Sequence, residues 1–140
     1  MKLLNNSVEV LTRDGQSIGV VGLAPGNGGI SEIARHFSQD QCVLTLAHSP
    51  TRIVDIRIAE AGDSGPWTDL VLTGHTHGGQ LRIAGRSIFS LDEVEQRYLS
   101  GWYSDAAAPL LVSQGVGCEG ANLRLGSEAE VWLITLRCAQ

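Results

Sequence analysis

Three histidines follow short apolar runs, and a neutral imidazole is the commonest protein ligand for transition metals. His48 follows the run 42–47, and His75 and His77 follow the run 69–73. Both runs are short and rich in β-forming residues, which is typical of buried strands. Ligands of open α/β sheets bind at the carboxyl ends of the strands, where neighbouring parallel strands end together. The pattern therefore predicts a metal site that contains His48, His75 and His77.

The second of these motifs reads Gly-His-Thr-His-Gly-Gly-Gln over 74–80. A spacing of two does not suit one helix face, but in an extended loop His75 and His77 would point in opposite directions and could serve two neighbouring metals. The surrounding glycines would let a phosphate approach backbone N–H groups. The alternative stays open that these histidines are structural or merely exposed, which is the commoner role of a single histidine at a strand end.

The elements that must position these residues can be predicted from the first 80 residues. Two β-rich runs, 8–11 and 18–23, flank an Asp-Gly turn and predict a hairpin. A short helix begins at Ser31, and a second helix is predicted over 51–61 between the two apolar runs. Alternating strands and helices are typical of crossover connections in a parallel or mixed sheet.

The remainder of the chain predicts a β-rich segment. Apolar runs at 80–84, 109–113 and 130–137 are each short enough for a strand. The predicted fold class is therefore α/β, with a mixed sheet and crossover helices followed by a β-rich segment.

Composition narrows the class of protein. The 140 residues are 43% hydrophobic and 18% charged, which suits one domain with its own core. The formal net charge of −5 and the lack of a dense basic stretch argue against non-specific nucleic-acid binding. The three cysteines are far apart without a Cys-x-x-Cys pair, so we expect a reduced, cytoplasmic chain. No run approaches the length of a membrane span or has the pattern of a signal peptide.

Five segments carry a family resemblance, and two of them contain the histidines. The run 74–80 resembles the last motif of the calcineurin-like metallophosphoesterases, in particular of the bacterial branch with a Gly-His-Thr-His-Gly-Gly-Gln signature. The run Leu-Ala-His-Ser-Pro at 46–50 resembles the histidine motif that precedes it, and 113–117, 123–126 and 130–136 resemble the C-terminal part of that branch. The resemblance extends from Val8 to Arg137. It implies the C-terminal half of an α/β/β/α sandwich, with residues 1–140 forming a single partial domain.

The resemblance also implies an activity, which is hydrolysis of phosphomonoesters or phosphodiesters by a hydroxide that two metal ions activate. His48 and His75 would bind one metal and His77 the other, the metals being manganese, zinc or iron. The residues expected to line the substrate pocket are Gly74, Gly78, Gly79, Gln80 and Arg124. Arg124 suits a phosphate by charge and shape, and the alternative for it is an ordinary surface arginine.

The family's Asp-x-His and Asn-His motifs are not found in this sequence, and its one Gly-Asp pair, Gly62-Asp63, does not follow a predicted strand as the family's motif does, so no catalytic residue is assigned. Without the bridging carboxylate, we expect three neutral imidazoles to hold at most one metal, weakly. Activity would then need a complementing N-terminal half or an oligomer. Two alternatives remain: a non-catalytic metal-binding or assembly remnant of the family, and an α/β domain with structural histidines.

Overall fold

A six-stranded mixed sheet forms the centre of the computed structural model, which describes residues 2–26, 28–89, 91–104, 106 and 108–137. The strand order is β1-β2-β3-β4-β8-β7, and β5 and β6 form a separate pair. The strands are β1 (Ser7–Arg13), β2 (Gln16–Leu23), β3 (Val43–Ala47), β4 (Leu70–Thr73), β5 (Arg82–Ile83), β6 (Arg86–Ser87), β7 (Gly101–Tyr103) and β8 (Leu110–Val112). The helices are α1 (Ile30–Ala34), α2 (Ile53–Ile58) and α3 (Glu93–Arg97), with 3-10 turns at Pro50–Arg52 and His77–Gly79.

The sheet confirms the predicted α/β fold. Strands β1 and β2 form the expected antiparallel hairpin, in which Asp14 and Gly15 both adopt positive φ angles of 51° and 78°. Such angles suit a tight hairpin turn, which explains the Asp-Gly pair. Strands β2, β3, β4 and β8 are parallel, and β7 pairs antiparallel with β8. The carboxyl ends of β3 and β4 therefore lie at the same edge of the sheet.

The main hydrophobic core lies between the helices and the sheet. Alternate residues of the central strands are at most 1% exposed, namely Val21, Val43, Val71, Leu110 and Val112. They share one core cluster with the apolar side chains of α1 and α2 and with Phe37 and Trp67. Because side chains alternate across a strand, this packing fixes the register and with it the position of each strand end.

The opposite pleat positions of the sheet are apolar but partly exposed. Val20, Leu44 and Leu70 are aligned across three neighbouring strands and are each intermediate in burial, and Leu46 is 36% exposed. The edge strand β1 also exposes Val10, at 60%. The described residues thus leave an apolar surface of the sheet partly accessible to water. Among these residues, no helix combines the length and apolar composition that a membrane span requires.

Three predicted elements differ from the structure. The prediction of a strand over 130–137 is wrong, because the described part of the chain provides no partner strand, and Leu133 is 95% exposed. The predicted strand 80–84 is reduced to Arg82–Ile83, since Ala84 and Gly85 turn the chain with positive φ angles. The predicted helix 51–61 consists of a 3-10 turn followed by α2, which ends at Ile58.

Candidate metal centre

His48 and His75 lie in contact at the carboxyl ends of β3 and β4. The two strands pair in parallel with Leu46 opposite Leu72, and the Gly74 N–H donates a hydrogen bond of 3.1 Å to the His48 carbonyl. This register places the two imidazole centroids 4.5 Å apart with an angle of 52° between the ring planes. Both residues are exposed, so their rings are accessible to a ligand from solvent.

The loop that carries His75 and His77 is tightly turned. His75, His77 and Gln80 have φ angles of 73°, 50° and 42°, and a 3-10 turn spans His77–Gly79. The loop is therefore not extended, and the alternation of side chains considered for an extended loop does not apply to His75 and His77. Non-glycine residues in such backbone regions cost about 1–3 kcal/mol each and persist only where the surroundings hold them, most often at functional sites.

The side chain of Thr76 links the histidine turn to the segment at Leu99. Its side chain is buried, and its hydroxyl donates a 2.7 Å hydrogen bond to the Leu99 carbonyl. The same oxygen accepts the Gly78 N–H at 3.4 Å, and the Gln80 N–H donates to the His77 carbonyl at 3.0 Å. These bonds offset the backbone strain and fix the two histidines relative to each other.

The glycines of the motif differ in how strictly they are required. A Cβ on Gly78 would lie 2.7 Å from Gln114 Cδ, and one on Gly79 would lie 3.1 Å from Ser87 Cβ. Both glycines also have positive φ angles. Gly74 has ordinary space around it, with only the Ser113 carbonyl at 3.7 Å. The turn therefore needs glycine at 78 and 79 for backbone reasons, whether or not a phosphate binds there.

His77 has a buried nitrogen without a partner. Its Nδ1 atom is inaccessible to water and makes no hydrogen bond, which is unusual for a buried polar atom. A nitrogen in this state fits a role as a metal ligand, as does the pair of adjacent imidazoles on His48 and His75. However, the described residues include no group of three His, Cys, Asp or Glu side chains close enough to hold one metal ion. The donors thus fit part of a metal site.

Two of the expected substrate contacts use their polar groups within the protein. The Gln80 carboxamide is buried, donates to the carbonyls of Glu119 and Ala121 at 2.9 and 3.1 Å, and accepts the Glu119 N–H at 2.7 Å. The Arg124 guanidinium donates to the His77 and Gln114 carbonyls at 3.2 and 2.8 Å, and also to Gly117. Both side chains therefore tie loops to the back of the histidine turn.

Glu95 is a site residue that sequence reasoning missed. Its Oε1 atom lies 3.3 Å from His75 Nε2, and the residue is only 8% exposed. It belongs to α3, where Asp92 and Glu95 form a reciprocal capping box. The sequence signal for this was Asp-x-x-Glu at 92–95, which marks a helix start but not the long-range contact with a histidine.

A cavity of about 410 Å³ opens beside the histidine turn. His75 and His77 line one side of it, and Phe89 and Leu91 provide apolar surface. The ionisable lining residues other than histidine are two carboxylates, Glu95 and Glu119. The cavity places a small molecule within reach of the turn, and its acidic lining suits a bound cation.

Glu130 holds the loop at Gln114, which packs against the histidine turn. Its carboxylate accepts the Gln114 N–H and the Trp132 indole N–H, both at 2.8 Å. Burial raises the pKa of Glu130, but these hydrogen bonds and the nearby Arg124 charge outweigh burial, so the pKa lies below its ordinary value. The charged form of Glu130 is therefore the one that stabilises the fold.

Comparison with known proteins identifies relatives of the chain. It is 33% identical over 110 residues to a metallophosphoesterase of Aquifex aeolicus, covering 76% of this chain and 37% of that protein. It is 35% identical over 95 residues to the phosphodiesterase YaeI of Escherichia coli, covering 66% and 32%, respectively. It is 26% identical over 133 residues to the metallophosphoesterase YkoQ of Bacillus subtilis, covering 92% and 46%.

The chain thus spans about a third to a half of the length of these relatives. No family model and no solved structure matches it. The relatives share between a quarter and about a third of their aligned residues with this chain, and the alignments cover most of it. Together with the α/β sheet, these matches show that the chain belongs to the calcineurin-like metallophosphoesterase family.

Proposed function

We propose that this chain contributes one half of the active site of a metal-dependent phosphoesterase, which hydrolyses phosphomonoesters or phosphodiesters with water that two divalent metals activate. The observation that carries the proposal is the contact of the His48 and His75 rings at the ends of two neighbouring parallel strands. The names of the relatives, which include a phosphodiesterase, support the same class of reaction.

In this proposal His48 and His75 bind one metal, and His77 binds the other through a nitrogen such as its unpartnered Nδ1. The bound metals would supply the Lewis acidity that stabilises charge developing on the phosphoryl group. The chain itself holds the imidazoles in place through the tight turn at 75–80. The proposed pocket residues are Gly74, Gly78, Gly79, Gln80 and Arg124, of which Gln80 and Arg124 would shape the pocket by holding the loops behind the turn.

The charges of this half explain why we propose that it is inactive alone. All three proposed metal ligands are neutral imidazoles, so none of them offsets the repulsion between two cations. We therefore infer that residues 1–140 form a partial domain that holds at most one manganese, zinc or iron ion, weakly. The completing carboxylates would come from a complementary N-terminal half, and the partly exposed face of the sheet is a suitable surface for it or for a second copy. The cytoplasm, inferred from cysteine usage, is the proposed location.

A second candidate function is a non-catalytic metal-binding or assembly role. The assembly form of this role is favoured by the partly exposed apolar face of the sheet, where Val10 is 60% and Leu46 is 36% exposed. It differs from the first proposal in one respect: bound metal would then never lead to hydrolysis, whichever ligands are added.

Metal content separates these possibilities. We expect the purified wild-type chain, dialysed to equilibrium against excess Mn²⁺ or Zn²⁺, to hold up to one equivalent more metal than the dialysis buffer by elemental analysis, and His75→Ala to hold almost none. His36→Ala is the matched control, because His36 is an exposed histidine whose Nδ1 lies 2.7 Å from the Glu32 carbonyl oxygen. Equal metal content in the two variants would contradict the proposed site.

Hydrolysis of a chromogenic phosphodiester tests the catalytic part. We expect little turnover by the metal-loaded chain alone, and turnover that depends on His75 once an N-terminal half from a relative is added. Light scattering of the mixture shows whether the two halves associate. A stable complex that binds metal and yet hydrolyses neither monoester nor diester would overturn the enzymatic proposal in favour of the second candidate.

A further inference from the structure

The two carboxylate oxygens of Glu95 have different partners. Oε2 accepts the Asp92 N–H at 3.2 Å, which completes the capping box of α3. Oε1 faces the site, where it lies 3.3 Å from His75 Nε2 and accepts the Ser49 hydroxyl at 3.1 Å. The cap alone explains only one of the two oxygens.

We propose that Glu95 is a positioning residue that holds His75 in the tautomer with its proton on Nε2, so that Nδ1 is the nitrogen left to bind a metal. The metal-binding part of this inference rests on the proposed function. The tautomer itself is a property of the metal-free chain.

A histidine that binds a metal needs a partner that fixes which ring nitrogen carries the proton. In a neutral ring one nitrogen carries the proton and the other carries the lone pair, and the hydrogen bond made by the first decides which nitrogen is the ligand. A carboxylate accepts this proton strongly, and carboxylate–histidine–metal arrangements both orient the ring and raise its basicity. Glu95 is placed for this role because it is almost fully buried while the His75 side chain is 39% exposed.

The same carboxylate connects the two histidine segments. Ser49 follows His48 directly, and its hydroxyl donates to the oxygen that faces His75. Helix α3 thereby fixes both strand ends through one buried side chain. Loss of Glu95 should therefore free the His75 ring to rotate and to change tautomer, even though β3 and β4 stay paired.

The test is ¹⁵N NMR of the histidine rings in the metal-free chain, at a pH where the rings are neutral. We expect His75 to be almost entirely the Nε2–H tautomer in wild type. In Glu95→Ala the ratio of Nε2–H to Nδ1–H should fall by about tenfold, as expected for losing one hydrogen bond to a charged acceptor. Glu95→Gln should restore most of the ratio, because its amide oxygen can still accept the proton.

Asp92→Ala is the matched control, since it breaks the same capping box and leaves the Glu95 carboxylate in place. An unchanged ratio in this variant would support the proposal. A fall equal to that of Glu95→Ala would reduce Glu95 to a helix cap and overturn it. A wild-type His75 that is mainly the Nδ1–H tautomer would overturn it without any variant.

Metal affinity gives a second, separate readout. Calorimetric titration with Zn²⁺ should show binding about 10- to 100-fold weaker in Glu95→Ala than in wild type, the usual effect of removing a carboxylate behind a ligating histidine. Equal affinities would contradict the role toward metal. If wild type binds no Zn²⁺ at all, the proposed function fails, whereas the tautomer ratios still decide whether Glu95 orients His75.

Discussion

The turn that carries the histidines should be sensitive to a single methyl group at Gly78. Gly78→Ala adds a Cβ to a residue with a φ of 61°, at a point where Gln114 Cγ and Cδ would each lie 2.7 Å away. The nearest atoms include Cγ, close to the backbone, so the whole Gln114 side chain must rotate. That rotation removes the 3.4 Å contact of Gln114 Nε2 with Glu130.

The loss of stability expected for Gly78→Ala has two parts, one from the backbone and one from the clash with Gln114. A left-handed backbone costs an alanine roughly 1–2 kcal/mol, and a forced shift of packed neighbours typically costs a further 1–3 kcal/mol. Gly15→Ala is the matched control, since Gly15 has a φ of 78° but no atom lies within 4 Å of the position that its methyl group would take. We therefore expect Gly78→Ala to lower the free energy of unfolding by about 2–5 kcal/mol and Gly15→Ala by about 1–2 kcal/mol.

Urea denaturation followed by circular dichroism measures both values. A double-variant cycle then isolates the clash: in a Gln114→Ala background, Gly78→Ala should cost no more than Gly15→Ala. The reasoning is refuted if Gly78→Ala costs the same with and without the Gln114 side chain, or if it costs as little as Gly15→Ala in the wild-type background.

Two further predictions concern the charged residues behind the turn. Arg124→Lys should lower the free energy of unfolding by about 1–2 kcal/mol, because one ammonium group cannot reach three backbone carbonyls at once. The exposed Arg86→Lys is the control. Equal urea midpoints for Arg124→Lys and wild type would refute the role of the guanidinium. Glu130→Gln should destabilise the chain at pH 7, and the difference from wild type should shrink as pH falls below the ordinary value of 4.5, because a lowered pKa stabilises only the charged form. Urea midpoints measured from pH 7 to pH 3 test this, with exposed Glu128→Gln as control, and a difference independent of pH would contradict it.

The central strands could be predicted because their signals are local. The apolar runs that became β2, β3 and β4 are bounded by turn residues, and β-forming side chains fill them. The Asp-Gly pair at 14–15 also fixed the hairpin, since few other dipeptides accept two positive φ angles. The alternate residues of these strands that face the helices are the ones that the structure buries, as the apolar pattern predicts.

The strand expected over 130–137 shows where local signals fail. Its apolar residues satisfy the pattern of a strand, but a strand also needs hydrogen bonds from a neighbour. In the described part of the chain Glu130 N–H reaches the Gly115 carbonyl at 3.0 Å, and no strand pairs with the residues that follow. A sequence pattern reports the side chains that suit a sheet, whereas pairing depends on what other segments provide.

Some features of the candidate site could likewise be predicted from local sequence patterns, and others could not. The proximity of His48 and His75 follows from strand order, which alternating strands and helices make predictable. The left-handed backbone at His75 and His77 could not be predicted, because non-glycine residues rarely adopt it without tertiary support such as the bond from Thr76 to Leu99. Glu95 was missed because its contact with His75 joins segments that no local pattern links.

The pairing of β3 with β4 also bears on how this site could vary during evolution. The two rings meet because each follows its strand by a fixed number of residues, and the length of chain between the strands does not enter. Since loop-closure free energy rises slowly with length, the connection can gain residues at its exposed positions 62–64 while the rings stay in contact. One residue added inside either strand would instead turn every later side chain of that strand to the other face of the sheet. We therefore expect related sequences to vary more in length between the two histidine motifs than within the strands of five and four residues that precede them.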